Sequence, residues 1–144
     1  MRFEEATEDV YNLLHKIIDE HFVELRTAVF LVMFDLKKRV SKGKYVIARI
    51  KKTNDELKAF TMDDNGVPAD YIMFIDKNIY TNIDERDKER IIFHELCHCD
   101  VGEETFNIKD HEIQGFYAEI DFNSDDTRWS ERLLTIADHL YSAD

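Results

Sequence analysis

The sequence is poor in the features that mark several special classes of protein. Its 144 residues include two cysteines, one proline and four glycines. No apolar run approaches the ~20 residues that a membrane-spanning helix needs, and there is no internal repeat, low-complexity tract or linker. Since 44% of the residues are hydrophobic, the chain can bury a core, and we expect a single domain over residues 1–144.

The scarcity of cysteine also bears on the compartment. Cys97 and Cys99 lie two residues apart in a predicted helix, where they cannot form a disulfide with each other. Cys97 is expected to pack in the structure rather than to bind metal. The first residues include Glu4 and Glu5, which is not typical of a signal peptide. The sequence therefore predicts reduced thiols and a cytoplasmic protein.

Positive charge is scarce overall but locally concentrated. The chain has 19 Lys and Arg against 31 Asp and Glu, a net charge of −12. Between residues 36 and 58 the balance reverses to plus seven. We expect this segment to be a solvated basic hairpin, because an acidic protein repels nucleic acid at long range. Nucleic-acid contact through residues 37–58 remains the alternative. The basic residues are Lys37, Lys38, Arg39, Lys42, Lys44, Arg49, Lys51, Lys52 and Lys58.

Hydrophobic periodicity predicts an α+β fold, because a helix is followed first by strands and then by helices. It comprises an N-terminal helix, a small sheet of three or four strands, and three later helices. Strands 28–34 and 45–50 are expected to form a hairpin across the turn at residues 41–44. Residues 53–57 are expected to form a turn, and residues 58–62 a short strand or the start of a loop. The remaining predicted elements are helix 5–21, strand 71–75, a helix that starts after Asp84 and ends at residues 100–102, a loop over 103–109, a helix that starts after Asp110, and helix 129–140.

The most informative motif is His94-Glu95-Leu96-Cys97-His98. Four residues of α-helix rise ~6 Å and rotate ~40°, so the two imidazoles project from one face and can bind one Zn²⁺. Glu95 lies at the edge of that face, where it can deprotonate a water in an open metal position. This is the arrangement of the H-E-x-x-H metallopeptidases.

The surrounding sequence predicts that this motif lies on a helix. Asp84 is an N-cap candidate, and acids in the first turn are followed by Ile91, Ile92 and Phe93. On a helical wheel Leu96 points away from the two histidines, toward a core.

A catalytic zinc of this type has three protein ligands and an open position. His111 lies in the first turn of the next predicted helix, where the helix dipole favours the neutral imidazole that binds metal. It is our predicted third ligand, and Glu112 and Glu119 remain alternatives because carboxylates also bind zinc. Tyr117, Arg128 and His139 are open candidates for an oxyanion donor.

Residues 70–129 resemble the phage metallopeptidase family of the zincin group. The resemblance rests on the apolar strand Tyr71 to Ile75, the H-E-x-x-H motif, the pair His111-Glu112 and the later Trp129. One departure is that an Asp often follows the third His in the family, where Glu112 stands here. A more distant similarity connects the chain to SprT-like proteases.

The resemblance implies a small zinc-dependent peptidase, located in the host cytoplasm if it is encoded by a phage. His94, His98 and His111 would bind Zn²⁺, and Glu95 would be the catalytic base acting on a peptide or protein substrate. Two alternatives remain open. One is a zinc-containing binding protein of a mobile element that acts on a host factor, and the other is a DNA-associated SprT-like protease.

Overall fold

The computed structural model of the chain describes residues 1–101, 106–109 and 117–142. Its strands are β1 (Phe3–Glu5), β2 (Phe30–Asp35), β3 (Val40–Ser41), β4 (Lys44–Tyr45), β5 (Ala48–Lys52), β6 (Tyr71–Asp76), β7 (Cys99–Val101) and β8 (Phe106–Ile108). Its helices are α1 (Glu8–His21), α2 (Asp55–Phe60), α3 (Lys77–Thr81), α4 (Glu85–Cys97), α5 (Tyr117–Phe122) and α6 (Trp129–Ser142).

The α+β class is confirmed, and its centre is a mixed sheet of four strands in the order β1-β2-β6-β5. Strands β2 and β6 are parallel, whereas β1 and β5 pair antiparallel with their neighbours. Two short hairpins, β3-β4 and β7-β8, lie outside this sheet. Among the described residues, no helix has both the length and the hydropathy that crossing a bilayer would require.

One face of the sheet forms the main core. Val32 on β2 and Met73 and Ile75 on β6 are fully buried in one cluster with Leu14 of α1 and Leu96 of α4. Each of these strands carries apolar side chains on the core face at every second residue, which is the spacing that a half-buried strand requires. Helix α4 is thereby fixed against the sheet, and its opposite side is available for a site.

The predicted hairpin of strands 28–34 and 45–50 is wrong, because β6 lies between β2 and β5. Ile75 of β6 pairs with Phe34 on one side and with Ala48 on the other. Strand β6 is buried at five of its six positions. A central position in the sheet buries more of such an apolar strand than an edge position would. The turn at residues 41–44 closes the smaller hairpin β3-β4 instead.

Several boundaries also differ from the predictions. The first helix begins at Glu8 because residues 3–5 form β1. Residues 55–60 form helix α2. Asn54 caps this helix, since its side chain accepts a hydrogen bond from the Leu57 amide at 2.8 Å. The predicted loop 103–109 contains β8. The last helix, predicted over 129–140, is confirmed as α6.

The helix of the H-E-x-x-H motif ends earlier than predicted. It stops at Cys97 with His98 as its C-cap, and Cys99 begins β7 rather than lying in the helix. The chain therefore turns back immediately after the second histidine of the motif.

Candidate metal centre

Helix α4 forms where the sequence predicts it and carries the motif. The Asp84 side chain caps it by accepting a hydrogen bond from the Asp87 amide at 2.8 Å, and Ile92 and Leu96 are fully buried. Residues four apart share a face of an α-helix, whereas residues two apart point in nearly opposite directions. The burial of Ile92 and Leu96 therefore directs His94 and His98 away from the core.

The structure brings His94, Glu95 and His98 together. One possible ligand atom from each of these residues lies within 4.8 Å of the others. The two imidazole rings have centroids 5.3 Å apart and are nearly perpendicular, at 82°. Within the described residues, this is the group of histidine, cysteine and acidic side chains whose spacing could hold a metal ion.

The His94 ring is oriented by Glu119 of α5. Nδ1 of His94 donates to Oε1 of Glu119 at 2.7 Å, and the Glu119 carboxylate is itself buried. Helix α5 is held on α4 by the stacked rings of Phe93 and Phe122, whose centroids are 3.9 Å apart and whose planes differ by 8°. Arg86 completes this contact, since its guanidinium lies over the Phe122 ring and donates to the Phe122 carbonyl oxygen.

The His98 ring is oriented by the backbone of Lys109. Nδ1 of His98 donates to the Lys109 carbonyl oxygen at 2.7 Å, and the Lys109 amide donates to the His98 carbonyl oxygen at 2.7 Å. Hairpin β7-β8 returns the chain to this position, and the Tyr71 hydroxyl donates to the Asn107 carbonyl oxygen at 2.8 Å.

These two hydrogen bonds fit a metal site. A carbonyl oxygen and an ionised carboxylate only accept hydrogen bonds, so both Nδ1 atoms carry a proton, and in the neutral form of each ring Nε2 carries the lone pair. Metal-binding histidines typically donate their other ring nitrogen to a carboxylate or a backbone carbonyl. His94 donates to the carboxylate of Glu119, and His98 donates to the backbone carbonyl of Lys109.

The acid and base groups of the centre influence each other. Burial raises the pKa of Glu95 to about 7, although the charge of His94 lowers it. Burial lowers the pKa of His94, but the hydrogen bond to Glu119 and the charges of Glu95 and Glu119 outweigh it, so the net pKa is raised. A carboxyl group whose pKa lies near neutrality is suited to accept and return a proton.

Two of the predicted ligands, His111 and Glu112, lie outside the described residues. The prediction that His111 is the third ligand stays a prediction. Glu119, an alternative ligand, is engaged with Nδ1 of His94. Cys97 is buried, as expected for packing. Among the oxyanion candidates, Arg128 is paired with Glu131 at 2.7 Å.

A cleft of about 560 Å³ opens beside His94 and Glu95. Its walls are formed by α4, by residues 45–48, which lead into the edge strand β5, and by α5 and α6. Sequence reasoning missed this cleft because its walls are distant in the chain. It also missed the Lys109 carbonyl. Every residue has a backbone carbonyl, so the type of residue does not indicate which one accepts a hydrogen bond.

The basic segment is partly engaged within the protein. Arg39 forms an ion pair at 3.5 Å with the buried Asp35, which Arg2 also contacts at 3.1 Å. Lys52 donates to the Asn107 side chain at 3.3 Å. Nucleic-acid binding by this segment stays an untested alternative.

The chain matches a known protein family over most of its length. The family model described as "Putative phage metallopeptidase" matches residues 1–138. The chain belongs to this family. The match extends well beyond the residues 70–129 that carry the resemblance in the sequence. No curated protein and no solved structure matched the chain. Membership of a metallopeptidase family implies a metal ion, and the centre on α4 is where the described residues are suited to bind one.

Proposed function

We propose that the protein is a zinc-dependent, zincin-like metallopeptidase that hydrolyses peptide bonds. His94, His98 and His111 would bind the metal, and Glu95 would be the catalytic base. The observation that supports this most strongly is the anchoring of both Nδ1 atoms, by Glu119 and by the Lys109 carbonyl. Two histidines incidental to a surface helix would not need such partners, whereas metal ligands do.

The metal and the side chains of the protein would have separate roles in the reaction. When bound, Zn²⁺ lowers the pKa of water and polarises a scissile carbonyl group. Glu95 takes a proton from the attacking water and later delivers it to the leaving amine nitrogen. Glu95 is suited to both steps by its place in the helix face, since it is buried and adjoins His94 and His98.

The sheet provides a way to align the substrate. Strand β5 is at an edge of the four-stranded sheet, and Ala48 at its start lines the cleft beside His94. An extended peptide can add to an exposed sheet edge through backbone hydrogen bonds. The scissile bond would then lie between the strand edge and α4.

The test is the substitution Glu95→Gln in protein loaded with zinc. We expect zinc content to be unchanged and the hydrolysis of fluorescein-labelled casein to fall by about 10²- to 10⁴-fold, the usual contribution of a general base. Glu89→Gln on the same helix is the control and should leave hydrolysis unchanged. Full activity of Glu95→Gln would remove Glu95 from the mechanism, and a zinc-loaded parent protein that cleaves neither casein nor a mixed peptide library would contradict the proposal.

A further inference from the structure

We infer that the cleft beside the candidate metal centre receives a large apolar side chain of the substrate, so that cleavage occurs next to residues such as Leu, Ile, Met or Phe. The inference rests on the proposed function, because it assigns a substrate class to the same site. Three observations support it: the location of the cleft, the residues that line it, and the ion pairs that its acidic residues form.

The cleft is continuous with the catalytic groups. His94 and Glu95 form part of its wall, and the Trp129 ring centroid lies 6.2 Å from that of His94. A side chain within one or two residues of the scissile bond would therefore enter this space. A volume of about 560 Å³ falls within the usual range of ~300–1,000 Å³ for ligand sites, so a large side chain fits together with adjoining backbone.

Apolar side chains form a large part of the lining, beside the polar residues Asn123, Thr127 and Ser130. Ile91 on α4 is buried, whereas Ile120 on α5 is 63% exposed at the cleft. Tyr45, Trp129 and Leu134 also line the cleft and are half-buried. When an apolar group enters the cleft, it covers apolar surface of Ile120 and Trp129 that is otherwise in contact with water. The free energy of binding becomes more favourable in proportion to the apolar area covered.

The charges of the cleft argue against a charged occupant. The Glu119 carboxylate is engaged by His94 at 2.7 Å, and Glu131 is paired with Arg128 at 2.7 Å. Glu95 is reserved for the proton transfer. A Lys or Arg side chain would find Glu119 engaged by His94 and would have to compete with Arg128 for the exposed Glu131. None of the described residues that line the cleft is Lys or Arg, so an Asp or Glu side chain would lose its hydration without gaining a cation.

The first experiment measures cleavage preference. Digestion of a mixed peptide library by the zinc-loaded protein, read by mass spectrometry, should show Leu, Ile, Met or Phe at one position beside the cleaved bond. We expect kcat/KM to fall by about 10- to 100-fold when that residue is replaced by Ser in an otherwise identical peptide, a usual size for discrimination by an apolar pocket.

Ile120→Ser should reduce this discrimination several-fold. The control Phe60→Ser changes an apolar residue that is 85% exposed on α2 and does not line the cleft. It should leave discrimination unchanged. Since Ile120 is exposed, its substitution should not disturb folding, which a thermal melt would check.

The second experiment does not require catalysis. Trp129 is the only tryptophan in the chain, so intrinsic tryptophan fluorescence reports on the cleft directly. In Glu95→Gln protein, N-acetyl-Leu-Leu-amide should shift the emission in a saturable way, whereas N-acetyl-Ser-Ser-amide and N-acetyl-Asp-Asp-amide should not at the same concentrations.

The outcomes separate the two claims. Cleavage without apolar preference, together with a flat fluorescence titration, would overturn the apolar cleft and leave the peptidase proposal standing. A saturable, Leu-selective titration in a protein that cleaves nothing would support the apolar cleft and contradict the peptidase proposal.

Discussion

Glu119 has a role in the structure that the sequence did not indicate. Besides being an alternative zinc ligand, it accepts a hydrogen bond from Nδ1 of His94 at 2.7 Å. A carboxylate in that place fixes the tautomer and the ring orientation and makes the other nitrogen a better ligand. It also raises the pKa of Glu95 through its charge.

We therefore predict that Glu119→Ala weakens zinc binding by about 10- to 100-fold, the usual cost of losing such a partner. Glu119→Gln keeps an oxygen that can accept from Nδ1 and should recover most of the affinity. A competition titration with a chromogenic chelator measures both values.

The matched control for these substitutions is Asp121→Asn, an exposed acid on the same helix. Equal zinc affinity of Glu119→Ala and the parent would show that Glu119 does not orient His94. A loss in Glu119→Gln as large as in Glu119→Ala would point to direct ligation instead, since an amide is a poorer zinc ligand than a carboxylate.

At the residue scale, spacing was enough to predict part of the centre. The interval between His94 and His98 places both rings on one side of any α-helix, so their proximity follows from local geometry alone. The partners of these rings could not be predicted in the same way. Glu119 is 25 residues from His94 in the chain, and its place depends on how α5 packs against α4.

At the scale of elements, a buried ion-pair network fixes α6 to α4. Asp87 accepts from both Nη atoms of Arg132 at 2.6 Å and from Nε of Arg90 at 3.1 Å. Arg90 also contacts Asp125 at 2.7 Å. Asp87 and Arg90 are both buried, and the hydrogen bond to Asp87 is the main reason that the pKa of Arg132 is raised. The network connects α4 and α6, two of the walls of the cleft.

Removal of Asp87 should destabilise the fold severely. In Asp87→Ala, Arg90 would remain buried after losing one of its acids, a change that typically costs about 3–5 kcal/mol. Urea unfolding followed by circular dichroism should show a lower midpoint with little change in slope.

The exposed ion pair between Arg128 and Glu131 on α6 provides the contrast. Its members are 79% and 65% exposed, and Glu131→Ala should cost no more than about 1 kcal/mol. If Asp87→Ala and Glu131→Ala shifted the urea midpoint equally, the network would not be holding the helices together.

Prediction from sequence succeeded for elements with strong periodicity and failed for strand pairing. Helix α4 and strand β6 were found because their apolar spacing and the Asp84 cap are local signals. The order of the sheet is not local. Residues 36–47 are long enough to carry the chain past the position of β6. In the sheet, β2 and β5 are therefore separated by β6, a strand that comes later in the sequence.

At the scale of the whole molecule, a bound metal would link three parts of the chain. Helix α4 supplies the rings, hairpin β7-β8 supplies the Lys109 carbonyl and α5 supplies Glu119. A ligand that binds only the folded state stabilises it by an amount that depends on its concentration relative to its dissociation constant.

Zinc should therefore raise the free energy of unfolding by about 2.7 kcal/mol at 100 times its dissociation constant. Excess EDTA should reverse the gain. His98→Ala should remove most of it, while His139→Ala, which changes an exposed histidine of α6, should retain it. Differential scanning calorimetry at fixed protein concentration measures these shifts, and an equal zinc response in His98→Ala and the parent would place the metal elsewhere.

Glu119 comes 25 residues after His94 in the chain, so the two are not synthesised together. A growing chain that has left the ribosome only as far as Cys99 contains the whole H-E-x-x-H motif, yet His94 then lacks the carboxylate that holds it, and His98 lacks the Lys109 carbonyl. The proposed metal centre would thus be completed only after the motif itself has emerged. If the proposed peptidase activity requires both partners, the order of synthesis would delay it until α5 has docked.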